Sequence, residues 1–258
     1  MKSIDNPENI SGTKLERDDT FMFDCHSGLA CFNECCRNIN LFLYPYDVLR
    51  LSNCLGISSD EFLDKYVDVV MRKSNFFPDV LLKMSGNMEK ACLFLTDSGC
   101  SVYADRSSSC RNFPIEQARF YDAETKTKSM LSFFRPPDFC LGPHEKRELT
   151  TESWAEAQDA VVYNKMTAAW ADVKELFDSD PWGTEGYEGA KAKMAFMSSY
   201  NIDKFDGFVF KSSFLKRYKI KSKILKKMKK NKRELLLFGF EWIKFFVWGI
   251  KSEYFRIK

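Results

Sequence analysis

Histidine and the familiar catalytic motifs are what this sequence most lacks. It has two histidines, His26 and His144, in 258 residues, so side chains that act as general bases near neutral pH are scarce. GxSxG, HExxH and P-loop motifs are absent, and no glycine-rich loop follows a predicted strand to support a dinucleotide or adenosylmethionine site. If the chain is an enzyme, most of its chemistry must come from another kind of centre.

An apolar leader is also missing from the start of the sequence. Residues 1–20 are polar and show no hydrophobic periodicity, which predicts a flexible N-terminal arm without a signal peptide. Ordered structure is expected to begin near Phe21. We therefore expect a cytoplasmic protein, in a compartment that keeps thiols reduced.

Cysteine, by contrast, is abundant. Nine cysteines would suit a small secreted disulfide scaffold, but 258 residues with 45% hydrophobic and 15% aromatic content can bury a core without cross-links. The odd count and the vicinal Cys35 and Cys36 also fit complete disulfide pairing poorly. The sequence therefore favours metal coordination by thiolates over disulfides.

Eight of the nine cysteines lie in three places, set among turn residues and aromatics. These candidate metal ligands are Cys25, Cys31, Cys35, Cys36, Cys92, Cys100, Cys110 and Cys140. Their spacing differs from the two well-separated pairs of common zinc fingers, and adjacent thiols point in different directions. Eight thiolates suffice for two four-coordinate sites, or for one cluster with spare thiols.

Three further residues bear on this framework. Cys54 lies in an apolar helical pattern and is expected to be a small buried hydrophobe. His26 and His144 stand close to cysteines and are alternative nitrogen ligands. With eight thiolates available, we expect both histidines at the surface or outside the ligand set.

Two arginines, Arg106 and Arg111, bracket Cys110. One interpretation is that their guanidinium groups support the cofactor, because they donate hydrogen bonds towards thiolate or sulfide and offset its negative charge. The other is ordinary salt bridges, with Asp97 or Asp105 as partners. The sequence does not separate these interpretations.

Helical patterns flank a β-rich middle segment. Pro45 opens a predicted helix that stops at Gly56, and the capping-box spacing of Ser58 and Glu61 predicts a second helix over about 59–72. From residue 78 to 134, short β-like runs predict a small antiparallel ribbon that carries Cys92 and Cys100. ARFYD and SMLSFF then form a predicted hairpin.

Beyond residue 150 the pattern is helical again. A capping box from Ser153 to Glu156 predicts a helix that ends at DSDPWG, and FDGFVFKSSFLKRY and ELLLFGFEWIKFFVWGI predict later ones. We therefore predict an α+β fold: a mostly helical single domain with a small antiparallel β ribbon and metal-organised cysteine-rich loops. The arm over 1–20 precedes a cysteine-cluster module over 21–145 and a helical extension over 146–258 that packs on the module.

Positive charge is concentrated near the C-terminal end. Residues 216–233 contain eleven Lys or Arg and no acidic residue, although the formal net charge of the chain is only +3. A solvated helix face is one interpretation, and a weak acidic partner, a lipid surface or nucleic acid, is another. Glu241 and Lys244 interrupt the apolar stretch that follows, so no transmembrane segment is expected. A further protein or small-molecule partner is left open.

The cysteine segments resemble the YkgJ family of cysteine-cluster proteins, whose zinc- or iron-chelating domain has a CxxCxxCC signature. The matching segments, in order over residues 23–142, are the one that ends at Cys36, LFLYPYDVLRL, CLFL, GCSVY, DRSSSCRNFP and the CLG at Cys140. The first spacing is wider than CxxCxxCC by three residues, and one extra residue precedes the vicinal cysteines. Ser107 stands where the family usually has proline.

The resemblance implies a metal or iron-sulfur module with the eight cysteines as ligands. Flagellin lysine N-methylases carry a similar cluster, so an iron-sulfur centre and, by resemblance only, S-adenosylmethionine are implied as cofactors. We expect an iron-sulfur centre in an undefined redox or group-transfer role that includes protein methylation. An enzyme of this kind would be iron-sulfur oxidoreductase-like or lysine N-methylase-like. The alternative is a structural zinc-binding interaction module without catalytic activity.

Overall fold

The structure is a computed structural model that describes residues 2–4, for which only the backbone is considered, 10–72, 75–122 and 124–258. The chain is 46% helical and carries several small, mainly antiparallel sheets, which confirms the predicted α+β class. Among the described residues, none of the helices combines the length and apolarity that a bilayer crossing needs.

The helices and strands are as follows. The α-helices are α1 Pro45–Leu55, α2 Ser59–Lys65, α3 Ser108–Asn112, α4 Thr151–Ala157, α5 Ala160–Lys174, α6 Ala190–Tyr200, α7 Ile202–Lys211, α8 Phe214–Arg217, α9 Ser222–Lys230 and α10 Lys232–Trp248. The strands are β1 Lys2–Ile4, β2 Thr13–Leu15, β3 Thr20–Met22, β4 Phe42–Leu43, β5 Val67–Val70, β6 Asp79–Leu82, β7 Leu95–Thr96, β8 Gly99–Cys100, β9 Ile115–Asp122, β10 Thr127–Phe134, β11 Glu148–Thr150, β12 Tyr218–Ile220 and β13 Phe255–Ile257.

The chain divides into two compact units. Unit 1 comprises Met1–Leu41 and Met84–Asn164, and unit 2 comprises Phe42–Lys83 and Lys165–Lys258. The module predicted over 21–145 and the extension predicted over 146–258 are therefore divided differently in the structure, since residues 42–83 group with the C-terminal helices. Helix periodicity alone does not reveal which later segment buries the apolar face of an earlier one.

Unit 1 is built around a four-stranded sheet in the order β1-β9-β10-β2. The predicted hairpin is confirmed, because β9 and β10 pair antiparallel over their full length, from Thr127 opposite Asp122 to Phe134 opposite Ile115. Strands β3 and β11 form a second antiparallel pair. The small core beside these strands consists of Leu15, Phe21, Phe23, Ile115, Cys140, Leu149 and Trp154. The Phe23 and Trp154 rings meet edge to face with centroids 5.3 Å apart.

The expectation of a loose arm over residues 1–20 does not hold for the described part of that segment. Strand β2 pairs antiparallel with β10 and buries Leu15, and β1 runs parallel to β9. Residues 1 and 5–9 of the predicted arm lie outside the described residues. Three-residue strands are too short to produce a periodic signal, and their partners lie about a hundred residues later.

Unit 2 combines a three-stranded antiparallel sheet, β4-β6-β5, with most of the long helices. Its interior is aromatic, with Phe77, Phe205, Phe238 and Trp242 all at least 98% buried. Helix α10 packs closely on α6 at Gly239, where an added Cβ would collide with the carbonyl oxygen of Ser198. This glycine lets the two helix backbones approach each other.

Several predicted elements of unit 2 are confirmed. Pro45 occupies the first turn of α1, and Gly56 ends the helix in the left-handed region with φ 67°. The Ser58 hydroxyl accepts the backbone N–H of Glu61 at 3.1 Å and caps α2 as predicted. The sequence over 232–248 is helical as expected, and Gly249 ends it with φ 70°.

Two predicted boundaries are wrong. Helix α2 ends at Lys65 rather than near residue 72, and Val67–Val70 is strand β5, which pairs with β6. Valines favour a pleated strand, and pairing with β6 overrides the helical spacing. The helix after residue 150 begins earlier than predicted, because Thr150 rather than Ser153 accepts the N-terminal N–H, at 3.1 Å.

Candidate metal centre

All eight candidate ligands belong to unit 1, and none of the nine cysteines, which are all described, forms a disulfide. Cys25 and Cys31 lie in the turns after β3, and Cys35 and Cys36 close a 3₁₀ helix, Glu34–Cys36. The others lie just before β7 (Cys92), at the end of β8 (Cys100), in α3 (Cys110) and in the loop before β11 (Cys140). Short elements, as the sequence predicts, bring these segments together.

Backbone hydrogen bonds set the vicinal cysteines beside Cys92. The 3₁₀ helix lies between Asn33 and Asn38, whose φ values of 70° and 50° fall in the left-handed region that asparagine tolerates. After this turn, the Cys92 N–H donates to the carbonyl oxygen of Cys36 at 2.8 Å, and the Asn38 N–H donates to that of Lys90 at 3.1 Å. Two segments that are distant in sequence are thereby joined next to the thiols.

A tight hairpin links Cys92 to Cys100. Leu95 pairs with Cys100 and Thr96 with Gly99, whose φ of 115° glycine adopts readily. The Ser101 N–H donates to the carbonyl oxygen of Phe94 at 2.8 Å and closes the next turn. The ribbon predicted to carry these cysteines is thus confirmed as a two-residue pairing, although Cys92 precedes strand β7.

Helix α3 presents Cys110. The Ser107 hydroxyl caps this helix and accepts the Cys110 N–H at 3.4 Å. The φ of Ser107 is −60°, close to the value that a proline ring imposes. A proline at this position would therefore follow the same backbone path, and the serine adds a hydrogen bond.

Cys140 lies against the turn that carries Cys25 and Cys31. The Asp24 N–H donates to the carbonyl oxygen of Gly142 at 3.2 Å. The Leu141 N–H donates to the sulfur of Cys31, also at 3.2 Å. A Cβ at Gly142 would collide with the Phe23 ring and stand 2.8 Å from the carbonyl oxygen of Asp24, so glycine is needed for this approach.

Burial and neighbouring thiols raise the pKa of most of these cysteines. Burial, with smaller contributions from the charges of Cys36, Cys92 and Cys100, raises the pKa of Cys110 to about 12. Burial likewise raises the pKa of Cys92 to about 11. The pKa of Cys36 is raised by a hydrogen bond with the Cys35 thiol, and burial adds to the effect. Ionising all these thiols together is therefore unfavourable unless a cation neutralises them.

Backbone N–H groups have the opposite effect on the pKa of three cysteines. The N–H of Phe94 donates to the sulfur of Cys92, that of Val102 to Cys100, and that of Gly142 to Cys140, and each bond lowers the pKa of its thiol. The donor stands two residues after the cysteine in all three cases. Hydrogen bonds from backbone to sulfur favour the thiolate form, which is the form that binds metal.

The thiols are neighbours without forming a closed coordination sphere. Among the described residues, no three His, Cys, Asp or Glu side chains stand close enough together to hold a metal ion. The donor set nevertheless fits zinc or an iron-sulfur centre, since both take thiolates.

The two arginines are fixed by oxygen acceptors. Arg106 is 8% exposed, stacks on Tyr103 with 3.8 Å between its guanidinium carbon and the ring centre, and donates to the carbonyl oxygen of Tyr103 and the side chain of Gln158. The thiols of Cys100 and Cys110 lie within electrostatic range of its charge. Arg106 therefore provides a buried positive charge near two thiols.

Arg111 has a different environment. It is 2% exposed and donates to the carbonyl oxygens of Ala104, Arg106 and Gln158 and to the hydroxyl of Tyr163. These bonds tie the loop before α3 to the end of α4. Its observed role is to position the backbone around Cys110.

The sequence did not indicate that Gln158 and Tyr163 contact the two arginines. Gln158 accepts from Arg106 through its side chain at 2.5 Å and from Arg111 through its carbonyl oxygen at 2.7 Å. No motif marks either residue, because both lie about fifty residues from the arginines that they contact and one of these contacts uses a backbone oxygen.

The histidines lie beside the thiol-bearing turns. His26 accepts the N–H of Gly28 at 3.2 Å through Nδ1, and its Nε2 is 3.6 Å from a carboxylate oxygen of Glu145. His144 is exposed and sits in a short 3₁₀ helix. Both ring nitrogens of His26 therefore have partners other than a metal.

The prediction for Cys54 is wrong. It lies in unit 2 near the end of α1 and is exposed rather than buried. The buried side of this helix includes Val48, Leu51 and Ser52, whereas Asn53 and Cys54 face outwards. An apolar stretch near a helix end therefore did not specify which side faces the core.

One comparison with known proteins bears on this site. Residues 24–130 match the CxxCxxCC family model, which is described as a "Putative zinc- or iron-chelating domain". No curated protein and no solved structure matches the chain significantly. The match spans seven of the eight candidate ligands and supports a metal-binding, cysteine-rich domain.

Proposed function

We propose that the chain is a cytoplasmic cysteine-cluster metalloprotein whose eight thiols in unit 1 bind an iron-sulfur centre. The observation that carries this proposal is the separation of the cysteines: eight gather within unit 1, while Cys54 lies apart in unit 2. Burial and mutual repulsion keep these thiols protonated in the metal-free chain, and a bound cation would offset the cost of forming the thiolates that bind metal.

Iron is favoured over zinc for three reasons. Eight thiols exceed the four that one structural zinc ion needs, and the resemblance to flagellin lysine N-methylases points to an iron-sulfur cluster. N–H groups directed at sulfur also suit such a centre, since they tune its reduction potential. Bound in this way, the centre would supply electron transfer or organise a substrate.

The deciding experiment is anaerobic purification of the full chain followed by iron, zinc and sulfide analysis and a visible spectrum. We expect broad charge-transfer absorption together with iron and acid-labile sulfide. A colourless protein that contains stoichiometric zinc would reject the iron-sulfur proposal and leave the structural zinc module. A protein without either metal would reject both.

A group-transfer role, including methylation with S-adenosylmethionine, rests on the resemblance. A shallow cleft lined by Glu34, Arg37, Asn38, Met88, Glu89 and Lys90 lies next to the vicinal cysteines in unit 1 and is a candidate place for a substrate. Calorimetric titration of the iron-loaded protein with S-adenosylmethionine tests this role. Binding that is lost in Arg37→Ala supports it, and absence of binding rejects it.

The zinc-module alternative would gain a partner through a basic surface on unit 2. Helix α9 exposes Lys223, Lys226, Lys229 and Lys230, and within the described residues none of these four has a carboxylate at ion-pair distance. Like charges three or four residues apart destabilise a helix. A polyanion bound along this face would remove that repulsion.

The burial of the apolar residues of α9 favours nucleic acid over a lipid surface as the partner. Met228 is buried, and Ile224 and Leu225 are half-buried, so α9 has little apolar surface to insert between lipids. We expect a fluorescent single-stranded RNA to bind with strong salt dependence, and Lys226→Gln to reduce the slope by about one counterion. Lys193→Gln on α6 is the matched control. Binding to anionic vesicles alone would assign the surface to lipid.

A further inference from the structure

We infer that the eight thiols form two separate centres, one held by Cys36, Cys92, Cys100 and Cys110 and the other by Cys25, Cys31, Cys35 and Cys140. The inference rests on the proposed function, since it divides among two sites the ligands that the proposal assigns to metal. It assigns the adjacent Cys35 and Cys36 to different centres.

The first set is defined by mutual proximity. Every pair among Cys36, Cys92, Cys100 and Cys110 lies within electrostatic range. The backbone explains this proximity: the Cys92 N–H binds the Cys36 carbonyl oxygen at 2.8 Å, and the β7–β8 hairpin joins the segment after Cys92 to Cys100. Cys110 enters from the capped first turn of α3. Four thiols from four chain segments therefore surround one region.

The second set has contacts of its own. Cys25, Cys31 and Cys140 are also within electrostatic range of one another, and the thiols of Cys31 and Cys140 form a hydrogen bond. The N–H of Leu141 donates to the Cys31 sulfur at 3.2 Å, so the backbone that carries one ligand supports another. The hydrogen bond from Asp24 to Gly142 holds the two segments together.

The vicinal cysteines lie where the two sets meet. They are the last two residues of the 3₁₀ helix Glu34–Cys36, and their thiols form a hydrogen bond. Cys36 is within range of all three other members of the first set, and the inference assigns Cys35 to the second because that set otherwise has three thiols. Cys25 also lies within range of Cys36, so the two centres would be close neighbours.

Two centres of this composition would have a characteristic charge. Four thiolates around one divalent ion carry a net charge of about −2, so the two sites together would need compensation. Arg106 is within electrostatic range of Cys100 and Cys110 and supplies it to the first set. A site with four protein thiolates leaves no open position for water, which is the pattern of structural and electron-transfer centres.

Adjacent conservative substitutions provide the sharpest test. The full-length proteins are purified anaerobically, and metal and sulfide per chain are measured. They are wild type and the single variants Cys35→Ser, Cys36→Ser, Cys31→Ser and Cys110→Ser. We expect each variant to lose about half of the wild-type metal. The double variant of Cys36 and Cys110 should lose no more than either single one, whereas Cys35→Ser with Cys36→Ser should lose nearly all.

The control is Cys54→Ser, which should retain the full metal content. Two results would overturn the division into two centres. One is complete loss of metal in the double variant of Cys36 and Cys110. The other is a double variant of Cys35 and Cys36 that loses no more metal than either single variant. Wild type that holds metal in one centre would also overturn the division and leave the proposed function intact. Wild type without metal would reject the proposed function itself.

A second measurement covers variants that fail to fold. Native mass spectrometry of wild type during stepwise chelation should show a species that retains half of the metal. Wild type that changes directly from its full metal content to none, with no half-loaded species at any chelator concentration, would count against two separate centres.

Discussion

The two units of this protein differ in how many apolar side chains they bury. Unit 2 buries a continuous aromatic interior, in which Trp242 contacts Phe205, Phe208, Phe214 and Phe246 with ring centroids 4.5–5.9 Å apart. Among the described residues, unit 1 buries fewer apolar side chains than unit 2, and its loops and short elements carry the eight thiols. Apolar burial is therefore more extensive in unit 2, and we propose that metal binding adds to the stability of unit 1.

Metal removal should produce the largest difference in stability between the two units. A structural thiolate site contributes roughly 10–16 kcal/mol of binding free energy, comparable with the whole stability of a domain. Treatment with a strong chelator under reducing, anaerobic conditions should abolish amide hydrogen-exchange protection in β9 and β10 and preserve it in α10. Equal loss of protection in both units would show that they do not differ in this way.

Truncating the aromatic interior should have the reverse effect. Trp242→Ala removes a side chain that is 2% exposed, and we expect a loss of about 3–5 kcal/mol in the free energy of unfolding of unit 2. Metal per chain should be unchanged. Trp242→Phe is the matched control and should cost less, because the indole Nε1 has no hydrogen-bond partner among the described residues. Urea denaturation followed by circular dichroism measures both variants.

The same substitution, glycine to alanine, can be compared at one position in each unit. A Cβ at Gly142 would collide with Phe23 in unit 1, and one at Gly239 would collide with the Ser198 carbonyl in unit 2. Each alanine variant should cost about 1–3 kcal/mol in its own unit through overpacking. Gly142→Ala should also lower metal content, since it disturbs the loop that carries Cys140. A metal loss in Gly239→Ala as well would contradict the assignment of metal binding to unit 1.

The helix caps should give the smallest difference. Ser107→Ala in unit 1 and Ser58→Ala in unit 2 each remove one hydroxyl that accepts a backbone N–H, at a cost of about 1 kcal/mol. Ser107→Pro should cost less than Ser107→Ala, because the φ of −60° already suits proline and the unfolded chain loses freedom. Thermal unfolding of the metal-loaded proteins tests this order, and a proline variant less stable than the alanine one would refute it.

Local signals in the sequence were sufficient for much of the fold. Pro45, Gly56 and Ser58 mark helix ends through their own backbone or side-chain chemistry, and the β9–β10 hairpin depends on adjacent segments. The gathering of the cysteines in one unit also followed from their number and setting. Each of these features is decided by residues close together in sequence or by a shared chemistry.

Features that depend on distant partners were not predictable. Val67–Val70 becomes a strand because β6 pairs with it, and Thr13–Leu15 becomes one because β10 does. The exposed position of Cys54 depends on which side of α1 faces the rest of unit 2. Residue spacing alone also did not show that Cys35 and Cys36 lie in a 3₁₀ helix, Glu34–Cys36.

The exposed position of Cys54 makes it a useful internal standard. When the eight other sulfurs are held by metal, an alkylating reagent should modify one residue per chain, on α1. Each centre that opens would release four more reactive sulfurs. Counting alkylated residues by mass spectrometry would therefore report how many centres hold metal in unpurified protein. Alkylated Cys54 would show how much of the chain is present.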